Sequence, residues 1–470
     1  MFYYVVANHD IHEAVDHGDG LRVNNLNVGS LTLADDTVLM SSTKCGLQRM
    51  IDRAYEYGRK WRFKFSETKS KCMVFGEFRV LNTKMGKTRK WNMGNKTLEE
   101  VTHYTHMGII LNCVFSSVKR TKEMCNRGKA ILAGLSDIGV KSNGFNPLTS
   151  AFLWEKICLS SILYGSEVWY CLTKYETSIL ERTQKHAAKI IQGFHIRVHD
   201  EIVRGMLGWC SMVTNIELNK LRFLHKLQSL SPSCLSKQLF LFRVAQHECL
   251  SITTNVMKGY VPEIKELLDK YGLGHHWDQL LCYLVFPDKK PWKNIITESV
   301  QAHEIIVNRN ELALKSGTNT FLSVCKQLVP YKLYYVAKRH PLEAKNILHL
   351  AKLLSVPDND TLKCDLCLQI ISGIFVHIVC DCICLNEKRE EMWTLICDVL
   401  GVRIATALNN VSDDEFVQII FGKDVDIFKS DDVDNEMFDH FIIIVAKMYG
   451  IMYSIIQRRY KINLESMNDP

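Results

Sequence analysis

Two groups of residues in this 470-residue chain have the types and spacing that chemistry needs. The first is the adjacent pair Asp35-Asp36, which follows Leu31 and Leu33 and precedes Val38 and Met40. Paired carboxylates near the tip of a tight hairpin are hard oxygen ligands of the kind Mg2+ prefers. Two such ions stabilise the attacking and leaving oxygens of a phosphoryl displacement. An Asp-Asp pair alone is weak evidence, since aspartate is common in turns. The second group is a cluster of five cysteines between Cys364 and Cys384. Cys364, Cys367, His377 and Cys382 read C-x2-C-x9-H-x4-C, four ligands suited to a closed, tetrahedral structural zinc site. Cys380 competes for the fourth place, because it shares a face with His377 if that histidine begins a helix. Cys384 is a further alternative, and a set of ordinary buried thiols is the bland one.

The elements that must position these groups follow from periodicity. Residues 21–40 are β-branched and apolar with no helical period, which predicts strands meeting in a hairpin at the aspartates. A helix is predicted from about Lys44 to Arg62, with Leu47, Met50, Ile51, Ala54, Tyr55 and Trp61 on one face. A short strand, Cys72–Phe75, follows. The basic segment Arg79–Lys96 is predicted to be a hairpin or loop, and His103–Leu111 a strand. From about Ser116 the pattern turns helical, with helices near 117–138, 147–163, 174–192, 198–207, 214–230 and 236–251 and further helix to about 354. Pro147, Gly165, Gly193 and Pro232 mark boundaries.

Composition bounds the class. The hydrophobic share of 47% and charged share of 23% are ordinary for a globular chain, and length suggests about three domains. A net charge of +7 permits a nucleic-acid partner without requiring one. Most of the 17 cysteines stand singly in apolar surroundings, which is not a secreted disulfide framework. The N-terminus lacks a basic n-region, and the apolar run Phe441–Ile456 is broken by Lys447 and too short for a span. It is expected to be a buried helix, and Asp424–Asp439 a solvated loop and helix start. These features imply an intracellular protein of cytoplasm or nucleus, with no membrane partner.

The surroundings of the aspartates add a family resemblance. Leu33-Ala34-Asp35-Asp36-Thr37-Val38-Leu39 resembles the aromatic-Ala-Asp-Asp signature of reverse transcriptases from LINE-type, non-long-terminal-repeat retrotransposons. Phe65-Ser66-Glu67-Thr68-Lys69-Ser70-Lys71 and the Tyr104-Thr-His-Met-Gly108 segment are similar to the motifs that follow it, the second to the family's primer grip. Leu163-Tyr164-Gly165-Ser166-Glu167-Val168-Trp169 and Leu207-Gly208-Trp209 resemble the thumb, and the Cys364–Cys382 pattern, with Arg389 after it, resembles the C-terminal cysteine–histidine module. Family spacing favours Cys382 over Cys380.

The resemblance implies an α+β fold: a partial palm over 1–112, a helical thumb over 113–270, a helical connector over 271–354, a zinc module over 355–395 and terminal helices over 396–470. It implies RNA-templated DNA synthesis with Mg2+ on Asp35 and Asp36, Lys71 facing the departing pyrophosphate, and Zn2+ on the cysteine–histidine set. RNA template and RNA–DNA hybrid are the implied partners, held through phosphates. Candidate contacts are Lys84, Lys87, Arg89 and Lys90 in the basic segment, Lys119, Arg120, Lys122, Arg127 and Lys129 on the first thumb helix, and Gly108. Tyr55, Trp61 and Trp169 read as core, and His340 and His349 as surface or helix residues. Two departures stand out. Leu33 replaces the usual Phe or Tyr, and the family's other metal-binding aspartate lies tens of residues upstream of this motif. Asp10, Asp16 and Asp19 stand in the wrong context to replace it, so the chain alone is expected not to polymerise. A non-catalytic RNA- or DNA-binding protein of retrotransposon descent is the alternative reading.

Overall fold

The computed structural model describes residues 11–33, 35–75, 90–114, 116–169, 172–196, 198–250, 259–315, 317–356, 362–364, 366–371, 373–423, 425–428 and 436–450. It is mainly helical with a few small sheets. The chain forms two compact units: Met1–Lys122 with Gly165–Leu172 and Lys220–Lys289, and Glu123–Tyr164 with Thr173–Asn219 and Lys290–Pro470.

In the first unit, strands Ser30–Leu33 and Asp36–Leu39 pair antiparallel, with Leu33 opposite Asp36 and Leu31 opposite Val38. The helix Lys44–Lys60 starts where the Thr43 hydroxyl accepts the Gly46 N–H at 3.0 Å. Its apolar stripe divides between two clusters. Ile51 packs with Cys72, Trp91, Met93 and Leu98; Ala54 and Tyr57 pack with Ile11 and Val15. Arg59 and Lys60 in the last turn complement the helix dipole. The expected strand at Cys72–Phe75 is shorter and earlier, Lys71–Cys72, and pairs parallel with Glu99–Glu100. Trp91–Met93 and Lys96–Glu100 make a hairpin.

The expected single strand at His103–Leu111 is instead a second hairpin, His103–His106 paired with Ile109–Asn112. The chain reverses through Met107 and Gly108, whose φ angles are +51° and +77°. Two consecutive positive φ values match the right-handed twist of a two-residue hairpin. Sequence alternation hides this turn because a methionine rarely takes that conformation.

The second unit is built from helices. Lys174–Gln192 carries a capping box, Thr173 with Glu176, and stops at Gly193, φ +69°. The expected helix 147–163 is interrupted: Pro147–Leu153 passes through a wider π segment, Trp154–Leu159, before Ser160–Ile162. Met212–Ser229 begins in this unit; the Ser211 hydroxyl accepts its Thr214 N–H at 3.0 Å, and acids from other helices take further donors at its start. Glu304, 4% exposed, accepts the Ser211 N–H at 2.9 Å and the Thr214 hydroxyl at 2.7 Å, while Glu181 accepts the Val213 N–H at 3.2 Å. Arg204 stands 3.6 Å from Glu304, and burial raises the Glu181 carboxyl against the pull of Arg204.

Gly208, φ +68°, lets the chain pass Pro330, whose nitrogen would lie 2.7 Å from an added Cβ. Residues 436–450 are helical. Phe441, Ile442, Val445, Ala446 and Tyr449 are buried there, as the apolar run implied. Asp439, expected in a solvated stretch, is instead 2% exposed. It accepts two hydrogen bonds from Arg339, each 2.6 Å, and approaches His340 at 3.0 Å. Among the described residues, no helix is long and apolar enough to cross a membrane.

Candidate metal centre and the aspartate hairpin

The second unit brings the four predicted cysteine–histidine ligands together. The ligand atoms of Cys364, Cys367, His377 and Cys382 all lie within 4.8 Å of one another. Sγ of Cys364 is 3.9 Å from Sγ of Cys382, and Sγ of Cys367 is 3.3 Å from Nε2 of His377. Ligands around a tetrahedral zinc, at bond lengths of about 2.0–2.3 Å, stand roughly 3.5–3.8 Å apart. The set therefore fits the ion. Two local structures build it. The antiparallel pair Leu362–Lys363 and Ile370–Ile371 closes a loop in which Cys364 N–H donates to Gln369 O at 2.8 Å. Leu368, φ +62°, turns the chain back. The Leu366 N–H points at the Cys364 sulfur, 3.4 Å away. A π segment, His377–Asp381, then supplies the second half.

That π segment separates Cys382 from Cys380. The Cys382 N–H donates to His377 O at 2.7 Å, an i→i+5 bond. This wider winding returns Cys382 to the His377 side, whereas Cys380 turns toward Asp413. Burial, then the Asp413 carboxylate, pushes the Cys380 thiol up to about 12. Cys384 is exposed and outside the set.

At Cys364, burial works against ionisation. The backbone N–H groups of Cys367 and Leu366 and the neighbouring thiols outweigh it and hold this thiol below its ordinary value. Cys382, buried beside it, is pushed up. Cys364 and Cys382 share their cluster with Ile371 and with partly buried Leu366, Ile374 and Leu385. With four protein ligands, no position remains for a catalytic water.

The aspartate hairpin in the first unit is of another kind. Asp35 lies in the turn and Asp36 begins the returning strand, both exposed. The pairing puts Asp36 across from Leu33, which is 56% exposed, and Leu31 on the same face is 44% exposed. Nearby acids have other duties. The Asp16 carboxylate accepts the Gly20 N–H at 2.5 Å and bonds the Asn27 amide. Asp19 is held down at about 2 by Arg49 and then Arg53.

The remaining predicted residues have varied surroundings. Lys71 Nζ donates to Glu99 at 2.6 Å, on the parallel strand beside its own and in a different sheet from the aspartate hairpin. Arg120, expected at phosphate, instead lays its guanidinium over the buried Trp169 ring, 4.7 Å from the centroid. Lys119, Lys122, Arg127 and Lys129 are exposed on Val118–Asp137, as is Lys90. Gly108 occupies the hairpin turn. Lys84, Lys87 and Arg89 lie outside the described residues. Tyr449 and the Glu304 network had no signal in the sequence beyond apolar periodicity.

No protein-family model matches the sequence. Over 201 residues, 40% of this chain, it is 24% identical to the retrovirus-related Pol polyprotein from type-1 retrotransposable element R1 of Nasonia vitripennis. The chain spans 58% of that relative's length. This similarity supports a retrotransposon-related origin for the protein.

Proposed function

We propose that this chain is a part of a non-long-terminal-repeat retrotransposon reverse transcriptase that holds an RNA–DNA hybrid and presents Asp35 and Asp36 to Mg2+ at the primer end. The observation that carries the reading is the hairpin itself. Two exposed acids stand at its tip, beside the uncovered apolar face of Leu31 and Leu33. Carboxylates so placed would hold the Mg2+ ions that neutralise the charge developing on oxygens during nucleotidyl transfer. Lys119 and Lys122 would contact phosphate without reading sequence. Similarity to the R1 polyprotein supports the same reading.

At the second centre, Cys364, Cys367, His377 and Cys382 would hold one Zn2+ that folds its own segment and does no chemistry.

The test is hybrid binding and primer extension on an RNA template with Mg2+. The chain is expected to bind hybrid, more weakly as salt rises. Any primer extension it supports with Mg2+ is expected to be abolished by Asp35→Ala, with hybrid binding kept. Extension indifferent to Asp35→Ala overturns the polymerase reading. Hybrid binding with no extension in either form leaves a non-catalytic binding protein in its place.

A further inference from the structure

The metal site contains one element that the ligand spacing alone does not hold in place. An α-helix advances about 100° per residue, so His377 and Cys382 would point roughly 140° apart if 377–382 were wound that way. They converge because the segment is a π-turn, and π-turns are rare, single-turn features that need support.

The support comes from beyond the module. The Tyr449 hydroxyl, on the helical run 436–450, donates to Val379 O at 3.1 Å, and both residues are buried. Arg389 donates to Cys382 O at 2.7 Å and reaches Ile378 O and Val379 O at 3.5 Å. The carbonyls of the wide turn are therefore met by a phenol and a guanidinium. The same helical run is anchored at its other end, where Asp439 is held by Arg339 and His340. Its position is set independently of the metal.

We propose that Tyr449 is a positioning residue for the metal centre, holding the π-turn that presents His377 and Cys382 to one ion. The metal affinity of the module is thereby coupled to the seating of a helix that begins more than fifty residues after its last ligand. This inference rests on the zinc reading above. Outer-shell hydrogen bonds at metal sites are typically worth about 10–100-fold in affinity.

The test uses the full chain under reducing conditions. Zn2+ affinity is measured by competition with a chromophoric chelator, and Co2+ substitution reports ligand geometry through its absorption bands. Tyr449→Phe removes one oxygen and keeps the ring; it is expected to weaken Zn2+ about tenfold and to alter the Co2+ bands. Tyr334→Phe is the control, because its hydroxyl donates to Gln192 at 2.6 Å in the same unit, apart from the ligands. It is expected to retain wild-type affinity. Wild-type affinity and spectrum in Tyr449→Phe overturn the inference alone. Equal weakening by Tyr334→Phe also overturns it, by showing a general loss of stability. A wild-type chain that takes up neither metal overturns the zinc reading and this inference with it.

Discussion

The aspartate hairpin and the cysteine–histidine cluster are both candidate metal sites, yet the protein surrounds them in opposite ways. Asp35 and Asp36 stand in solvent on a two-stranded hairpin. Cys364, His377 and Cys382 are buried, with backbone N–H groups aimed at Cys364 and hydrogen bonds holding the turn behind Cys382. A carboxylate ionises in water without help, so a site for a transient, hydrated Mg2+ needs no cage. A thiolate must be drawn from its proton, so at a closed site metal binding and the folding of the segment go together. The contrast teaches that one candidate site offers exposed carboxylates and the other a mostly buried thiol–imidazole set.

The largest effect that could break this contrast is at the buried centre. Cys367→Ser should lose the metal and unfold the segment around 362–385. The wild-type chain at free Zn2+ a thousandfold above its Kd should gain about 4 kcal/mol that the variant lacks. Thermal unfolding with and without a chelator checks this; equal midpoints for both proteins would reduce the cluster to ordinary thiols.

A buried cation sharpens the rule at intermediate size. Burial pushes the Lys352 amine down to about 8, and Nζ meets Ser142 Oγ at 3.3 Å. Its folded pKa lies below its ordinary 10.5, so between about pH 8 and 10.5 the unfolded chain holds more protons and stability rises with pH. Lys352→Met should therefore stabilise the protein by about 1–2 kcal/mol below pH 8, the gain fading toward pH 10.5. Urea unfolding across that range measures it. A destabilised variant at pH 7 would show that the charge is compensated.

The smallest effect is expected at the hairpin. Asp35→Asn with Asp36→Asn should change stability by less than about 0.5 kcal/mol, as exposed substitutions do. A larger loss in the melting curve would mean that these acids serve the fold.

Much of this was legible in the sequence. Apolar alternation placed the aspartate hairpin, and apolar periodicity with Pro147, Gly165, Gly193 and Pro232 placed the long helices to within a few residues. The identities of the four candidate ligands were legible as a spacing. The choice between Cys380 and Cys382 was open because it depends on winding, and Trp154–Leu159 and His377–Asp381 read as ordinary helix until their hydrogen bonds are seen. The turn at Met107 was hidden for a similar reason: pairing between strands imposed a conformation its side chain does not favour. Arg120 on Trp169 and Asp439 on Arg339 are tertiary events with no local trace.

The acids at the start of Met212–Ser229 bear on how the chain comes to be folded at all. Glu304 follows Ser211 by 93 residues and Thr214 by 90. At roughly 5–20 residues per second, a ribosome needs about 5–20 s to make that stretch. Until then the helix lacks Glu304 at its first turn, while Glu181, already made, can accept the Val213 N–H. The order of synthesis thus leaves this first turn to its local Ser211 cap and Glu181 for many seconds before Glu304 can join them.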